Sequence, residues 1–157
     1  RWRLVVGKVA ALTVVTGVAT TVATVVNLIA AWPAARGAGI STSAWTTSPV
    51  GAVASTWLNT FAALLVWGVI GLVLAVLARS SAVAISVGAG YVLVVESVVK
   101  MAMSGSSDWL PGSTLNALAR GGTASLSYAA AGALALVYVT IGLGLALTVV
   151  TRRDITD

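Results

Sequence analysis

The sequence predicts an all-α protein, a polytopic bundle of transmembrane helices in which four spans are visible. Of its 157 residues, 59% are hydrophobic and only 8% are charged, whereas a soluble domain carries roughly 25% charged residues. The apolar residues run in stretches that reach the about 20 residues needed to cross a bilayer. These two observations exclude a soluble globular domain and a disordered chain, and residues 1–157 are treated as a single transmembrane domain.

The predicted spans cover residues 4–31, 50–78, 82–103 and 124–150. The first is longer than the hydrocarbon core requires, so it is expected either to be tilted or to begin in the cytoplasmic interface, with Lys8 snorkelling outward. Pro33 is expected to end this helix. A turn-rich loop follows over residues 34–49, with a short interfacial turn around Trp45.

Short polar segments separate the later spans. Arg79, Ser80 and Ser81 predict a very tight turn, so the second and third spans are expected to be antiparallel neighbours. The segment 104–123 is predicted to carry a short external helix over residues 113–119, either re-entrant or interfacial, that breaks at the Gly121-Gly122 pair.

The positive charges predict the orientation in the membrane. Lys and Arg near span ends favour the cytoplasmic side, and one predicted side holds Arg1, Arg3, Lys8, Arg79, Arg152 and Arg153, against Arg36 and Arg120 on the other. Both termini are therefore predicted to be cytoplasmic, in the inner membrane. Tryptophans are expected in the interfacial belts, at Trp2 inside and at Trp32, Trp45, Trp57 and Trp109 outside. Because the chain begins with Arg1 rather than Met, we expect it to be part of a longer polypeptide.

The composition argues against a catalytic, metal or nucleotide-binding site within this chain. Cysteine and histidine are absent, which removes disulfides, thiol chemistry and the commonest metal ligands. No Gly-rich segment ends in Gly-Lys-Ser/Thr, so no phosphate-binding loop is present. No catalytic residue, metal site or cofactor is predicted, and a membrane-embedded enzyme is the least favoured class.

Glu96 and Lys100 are the strongest anomaly because both lie inside the third apolar run, where a charge costs about 2.5–3.5 kcal/mol on insertion scales. Their i, i+4 spacing places them on one helix face. One possibility is that they neutralise each other near the outer end of the span. Another is that Glu96 faces a substrate path or the seam with another subunit, and a third is that Glu96 relays protons. Tyr91, Asn59 and Trp67 are further candidates for that path or seam.

Small residues recur at packing distances along the spans. Such spacing lets helix backbones approach closely, either within one chain or across a dimer seam. The pairs are Ala84 and Gly88, Ser86 and Gly90, Gly68 and Gly71, and Gly142 and Gly144.

The order of these segments resembles the C-terminal two thirds of ABC-2 type permeases, the membrane subunits of ABC exporters, especially the small actinobacterial kind. The matching elements are the basic start RWRLVVGKVAAL, the loop GISTSAWTTSP, GLVLAVLARSSAVAISVG, YVLVVESVV, the segment WLPGSTLNAL and the closing TRRDITD. The resemblance implies that the four spans are the third to sixth of six, and that residues 104–123 are the short re-entrant helices before the last span.

The resemblance further implies a permease that pairs with a second permease copy or a homologous permease and docks on cytoplasmic ATP-binding subunits. ATP and Mg would be held by those partners, and Arg1, Arg3, Arg79 and Ser80 would couple to them. The cargo would be a hydrophobic or amphipathic drug, antibiotic or lipid. Two other classes stay open: a proton-coupled small multidrug-type exporter that uses Glu96, and a non-transporting membrane scaffold.

Overall fold

The computed structural model describes residues 2–42, 49–103 and 107–152, and every regular element among them is helical. Four of its helices are long and apolar enough to cross a membrane, which confirms the all-α polytopic bundle. A short 3-10 turn, Ser107–Trp109, precedes the one short helix. The helices are α1 (Trp2–Gly37), α2 (Pro49–Ala78), α3 (Ser81–Ala102), α4 (Pro111–Arg120) and α5 (Tyr128–Arg152).

Helix α1 does not end at Pro33, so that prediction was wrong. The helix continues through Pro33 to Gly37. Pro33 has no N–H to donate to the carbonyl of Ile29, but a proline can kink a helix without ending it. The Arg36 guanidinium lies 5.0 Å from the centre of the Trp32 ring, one turn back. The helix stops where Gly39 adopts the left-handed conformation, with φ of 66°. The predicted turn around Trp45 lies outside the described residues.

The tight turn between α2 and α3 is confirmed. Arg79 alone separates the end of α2 from Ser80 and adopts a left-handed φ of 54°. Ser80 is the N-cap of α3, where its side-chain oxygen accepts the backbone N–H of Val83. A left-handed residue followed at once by a helix cap reverses the chain in the fewest residues.

Helix α3 contains a π-helical turn that the sequence did not predict. The turn covers Tyr91–Val95, and the backbone N–H of Glu96 donates to the carbonyl of Tyr91, five residues back. A π-helical turn inserts one extra residue into the helix and rotates everything after it. The face that carries Glu96 is therefore turned relative to the first half of α3.

Helix α5 begins at Tyr128, not at Ala124 as the apolar run predicted. Residues 123–127 form a hydrogen-bonded turn instead. The backbone N–H of Thr123 donates to the carbonyl of Leu126, and the backbone N–H of Leu126 donates to Thr123 Oγ1. Ser127 Oγ accepts the backbone N–H of Ala130. Side-chain hydroxyls compete with the helix for backbone partners at this position.

Helix α2 is the centre of the bundle and packs on α1, α3, α4 and α5. It is antiparallel to α1, since Gly68 meets Leu12 and Phe61 meets Gly17. It runs parallel to α5. Ala63 shares one buried cluster with Ala131 and Ala135, and Val69 and Val73 share another with Ala146. The start of α1, the α2–α3 turn and the end of α5 therefore lie at the same end of the bundle.

Candidate functional site: Glu96 and the short helix α4

The carboxylate of Glu96 is buried although it stands on an apolar, membrane-spanning helix. Its residue is only 1% exposed, while most of the α3 side chains around it are exposed. An isolated buried charge is costly unless hydrogen bonds or an opposite charge compensate it. The surroundings of Glu96 supply both.

Both carboxylate oxygens accept backbone N–H groups from the first turn of α4. Glu96 Oε2 accepts from Gly112 N at 3.0 Å, and Oε1 accepts from Ser113 N at 2.7 Å. The Ser113 hydroxyl lies 3.2 Å from Oε1 and donates a third bond. Glu96 thus occupies the N-terminus of a neighbouring helix in the way that a capping side chain or a bound anion does.

The start of α4 needs such an outside acceptor. The first N–H groups of a helix have no partner within it. Leu110, which stands at the N-cap, provides no side-chain acceptor, and Pro111 follows as the first helical residue. The first intrahelical bond is from Thr114 N to Leu110 O, so Gly112 and Ser113 are left for Glu96. The positive end of the α4 dipole also favours the carboxylate.

Glycine is required at position 112 by the closeness of this contact. A Cβ built on Gly112 would overlap both oxygens of the Glu96 carboxylate. Any other residue would displace the carboxylate from the helix end. The proximity of α3 and α4 thus depends on the absence of one side chain.

Lys100 completes the charge balance at the site. Its Nζ lies 2.9 Å from Glu96 Oε1, one helical turn away on α3, and its side chain remains 45% exposed. The predicted i, i+4 pair is therefore present, but it supplies only one of the groups that satisfy Glu96. The predicted role of either residue in a substrate path or seam stays a prediction.

Helix α4 packs into the bundle instead of lying on its surface. Leu115, Ala117 and Leu118 join Ala63, Ala131 and Ala135 in one buried cluster. Ala63 stands at the middle of the 30-residue α2, so α4 reaches the middle of the bundle. Thr114, wholly buried, donates to the carbonyl of Asp108.

The segments on either side of α4 are tied to each other and to α5. Ser125 Oγ donates to Asp108 Oδ1 at 2.9 Å, and the Tyr138 hydroxyl donates to the carbonyl of Trp109. At the other end, Gly121 closes α4 in the left-handed conformation, with φ of 78°. A Cβ on Gly121 would lie 3.2 Å from Asn59 Nδ2 on α2. Two sequence-predicted residues, Glu96 and Asn59, therefore stand at the two ends of α4.

The other predicted residues lie apart from this site. Tyr91 is half-buried at the start of the π-helical turn, and Trp67 packs beside the buried cluster and lines a groove. Arg3 and Arg79 are exposed at the opposite end of the bundle, where Ser80 caps α3. Arg1 lies outside the described residues.

The small-residue pairs divide between packing and open surface. Gly68 packs on Leu12, Gly142 on Val73 and Gly88 on Leu74, all within this chain. Added Cβ atoms at Gly71, Gly90 and Gly144 would meet nothing within 4 Å. Ala84 is buried, so both members of the Ala84–Gly88 pair pack within this chain, whereas Ser86 is exposed and Gly90 is open. Intramolecular packing thus accounts for one pair in full and for one member each of the Gly68–Gly71 and Gly142–Gly144 pairs.

Sequence reasoning missed Gly112 and Ser113, which hold the carboxylate through backbone groups. A signal was present in LPGST, because Pro111 marks the first residue of a helix and no Ser, Thr, Asp or Asn precedes it as a cap. A helix start without a capping side chain needs a hydrogen-bond acceptor, and an acid in an apolar span needs hydrogen-bond donors, so each could satisfy the other. Among the residues the structure describes, no three His, Cys, Asp or Glu side chains gather as a metal site would need.

Comparison with known proteins gives no relative. The chain matches no family model, no curated protein and no solved structure. The part of the chain that the structure describes holds four apolar helices long enough to cross a membrane, with a short helix packed among them, as in a membrane protein.

Proposed function

We propose that this chain is a membrane-spanning permease subunit of an ATP-driven exporter whose ATP is hydrolysed by separate cytoplasmic subunits. The observation that carries the proposal is α4. This helix folds back into the bundle between α3 and α5, and Glu96 holds its start. The ABC-2 permeases that the sequence resembles have their re-entrant helices between the corresponding last two spans.

The proposed mechanism uses the two ends of the bundle differently. At one end α4 and its Glu96 contact close the bundle and connect α3 to α5. At the other end the turn at Arg79 projects an exposed cation beside the capped start of α3. This end is the cytoplasmic one in the proposal, and the turn, together with Arg3, contacts the ATP-binding subunit in an assembly with a second permease.

The cargo in this proposal is hydrophobic or amphipathic. Two grooves among the described residues are lined mainly by apolar side chains, and Lys8 is the single charged residue that lines either of them. A long hydrophilic polymer would leave its polar groups unpaired along such walls. A lipophilic drug, antibiotic or lipid would not.

The test is reconstitution into vesicles of the intact protein with the ATPase subunit that co-purifies with it, using a fluorescent lipophilic dye as the probe. ATP-dependent dye movement that stops with a non-hydrolysable analogue is the expected result. Dye movement without any ATPase subunit or ATP overturns the proposal. Movement driven by a pH gradient without ATP identifies a proton-coupled exporter, and no movement under either condition favours a scaffold.

A further inference from the structure

An open groove runs between α1 and α3, with α2 as its floor. Its volume is about 850 Å³, within the range of about 300–1,000 Å³ typical of sites for small ligands. The α2 floor combines small residues, among them Gly71 and Ala75, with larger apolar ones, and the walls include Leu12 of α1 and Ile85 of α3. Such walls offer an acyl chain apolar contact along its length.

Lys8 gives this groove a charge. It is the single charged side chain that lines the groove within the described part of the chain. The described part of the chain contains two carboxylates, and neither is near Lys8: Glu96 pairs with Lys100, and Asp108 accepts a hydrogen bond from Ser125. The Lys8 ammonium therefore has no protein carboxylate beside it among the described residues, although it sits on an apolar span.

The charge stands toward the end of the bundle that also carries Arg3 and Arg79. Lys8 lies in the second turn of α1, and the groove extends to Ser81 at the start of α3, next to the turn. A long lysine side chain on a span turns its ammonium toward the membrane surface. Cations close to that surface attract anionic headgroups.

We infer that this groove is a binding site for an anionic phospholipid, with one acyl chain lying along α2 and the headgroup phosphate at Lys8. The complementarity of charge selects this occupant: a zwitterionic lipid fills the apolar walls equally well but leaves Lys8 without a net negative partner. This binding does not depend on the proposed transport activity.

A second groove in the same molecule serves as an internal comparison. It lies on the other side of the α1–α2 pair and is lined by apolar and hydroxyl side chains with Trp57 and Phe61, and no charged residue lines it. It should take up phospholipids without preference for the headgroup.

The test uses phospholipids that carry a photoactivatable diazirine in one acyl chain, in vesicles of phosphatidylcholine with phosphatidylglycerol. The cross-linked peptides are identified by mass spectrometry. Labelled phosphatidylglycerol should mark residues 67–75 and 81–92 more strongly than labelled phosphatidylcholine. Lys8→Gln should reduce this preference by about fivefold, the effect of one cation near a membrane surface, and Arg120→Gln at the opposite end should leave it unchanged.

A second variant fills the groove without touching the charge. A Cβ atom added at Gly71 would meet nothing within 4 Å, and the same is true of Gly144 on α5, which lines neither groove. Gly71→Leu should lower the labelling of the groove several-fold for both lipids, whereas Gly144→Leu should not.

Equal labelling of the groove by both lipids in the wild type overturns the inference, as does labelling that Gly71→Leu leaves intact. The chain has no cysteine, so Ala89→Cys on the α3 wall gives a clean probe for another occupant. Disulfide-linked dimers of Ala89→Cys that form efficiently in the membrane would mean that a second copy covers the groove, and would also overturn the inference.

Discussion

The backbone N–H of Ser113 donates to Glu96 Oε1 across 2.7 Å, and the same oxygen lies 2.9 Å from Lys100 Nζ. One buried carboxylate thus accepts the free backbone N–H groups at the start of α4 and also balances the charge of a cation on its own helix. Without α4 the carboxylate would keep only Lys100, and without Glu96 the first turn of α4 would have no acceptor for two N–H groups. Each element satisfies a polar group that the other would leave buried and unpaired.

Replacement of Glu96 by Gln should weaken the attachment of α4. Glutamine fills the same volume, but it loses the charge and one acceptor oxygen, and its amide NH₂ group faces the backbone donors. Hydrogen bonds to a charged group are worth about 1.5–3 kcal/mol, so thermal unfolding monitored by tryptophan fluorescence should shift to a clearly lower temperature.

Lys100→Gln is the matched control for Glu96→Gln. It removes the ion pair of a half-exposed lysine but leaves both backbone bonds to Glu96. Its destabilisation should be smaller than that of Glu96→Gln. If the two variants unfold at the same temperature, the ion pair and not the helix start holds Glu96.

Gly112→Ala should destabilise the protein, contrary to helix propensity. Alanine is favoured over glycine inside a helix by about 1 kcal/mol, but its Cβ at this position would overlap the Glu96 carboxylate. Gly144→Ala adds the same methyl group where nothing lies within 4 Å. The midpoint temperature of thermal unfolding should therefore be lower than wild type for Gly112→Ala and equal or higher for Gly144→Ala. A rise for both would mean that Glu96 does not contact Gly112.

Gly68→Ala should weaken the packing of α1 on α2, because the Leu12 side chain must move to make room for the added methyl group. A Cβ on Gly68 would stand 2.7 Å from Leu12 Cδ1 and 3.1 Å from its Cγ, closer than packed carbons allow. Leu12→Ala in the same chain removes these atoms. In a double-mutant cycle of unfolding free energies, we expect a favourable coupling of about 0.5–3 kcal/mol, as found for residues in contact. Additive effects would contradict the contact.

Arg79→Asn should separate the shape of the α2–α3 turn from its charge. Arg79 has a left-handed φ of 54°, a conformation that asparagine tolerates better than other non-glycine residues. Thermal stability should be equal or higher. ATP-dependent dye movement in vesicles should fall, because the proposed function assigns the exposed cation to the contact with the ATPase subunit. Unchanged transport would remove Arg79 from that contact.

The spans were predictable because length and hydropathy alone determine which segments cross a bilayer. Pro33 and Ala124 were misjudged for local reasons. A proline inside a helix can kink it without ending it, and the hydroxyls of Thr123 and Ser127 bind backbone groups that a helix starting at Ala124 would need. The π-helical turn at Tyr91 carries no residue signature, so hydropathy could not predict it.

The Glu96–Lys100 pair was predictable from spacing, but the main partners of Glu96 were not. They are backbone N–H groups sixteen and seventeen residues further along the chain, and backbone donors leave no mark in a sequence. Gly112 belonged to a segment that looked like a polar loop, although its role is to let a carboxylate approach. Such long-range contacts depend on how α3 and α4 pack, which no local pattern specifies.

Hydrogen exchange at the Gly112 and Ser113 amides, resolved by mass spectrometry in lipid nanodiscs, tests the central claim that Glu96 holds α4 in the bundle. These two N–H groups have no acceptor within α4, so Glu96 alone should protect them. We expect slow exchange in the wild type and fast exchange in Glu96→Gln, with α2 and α5 unchanged in both. Equally slow exchange in the two proteins would contradict the claim.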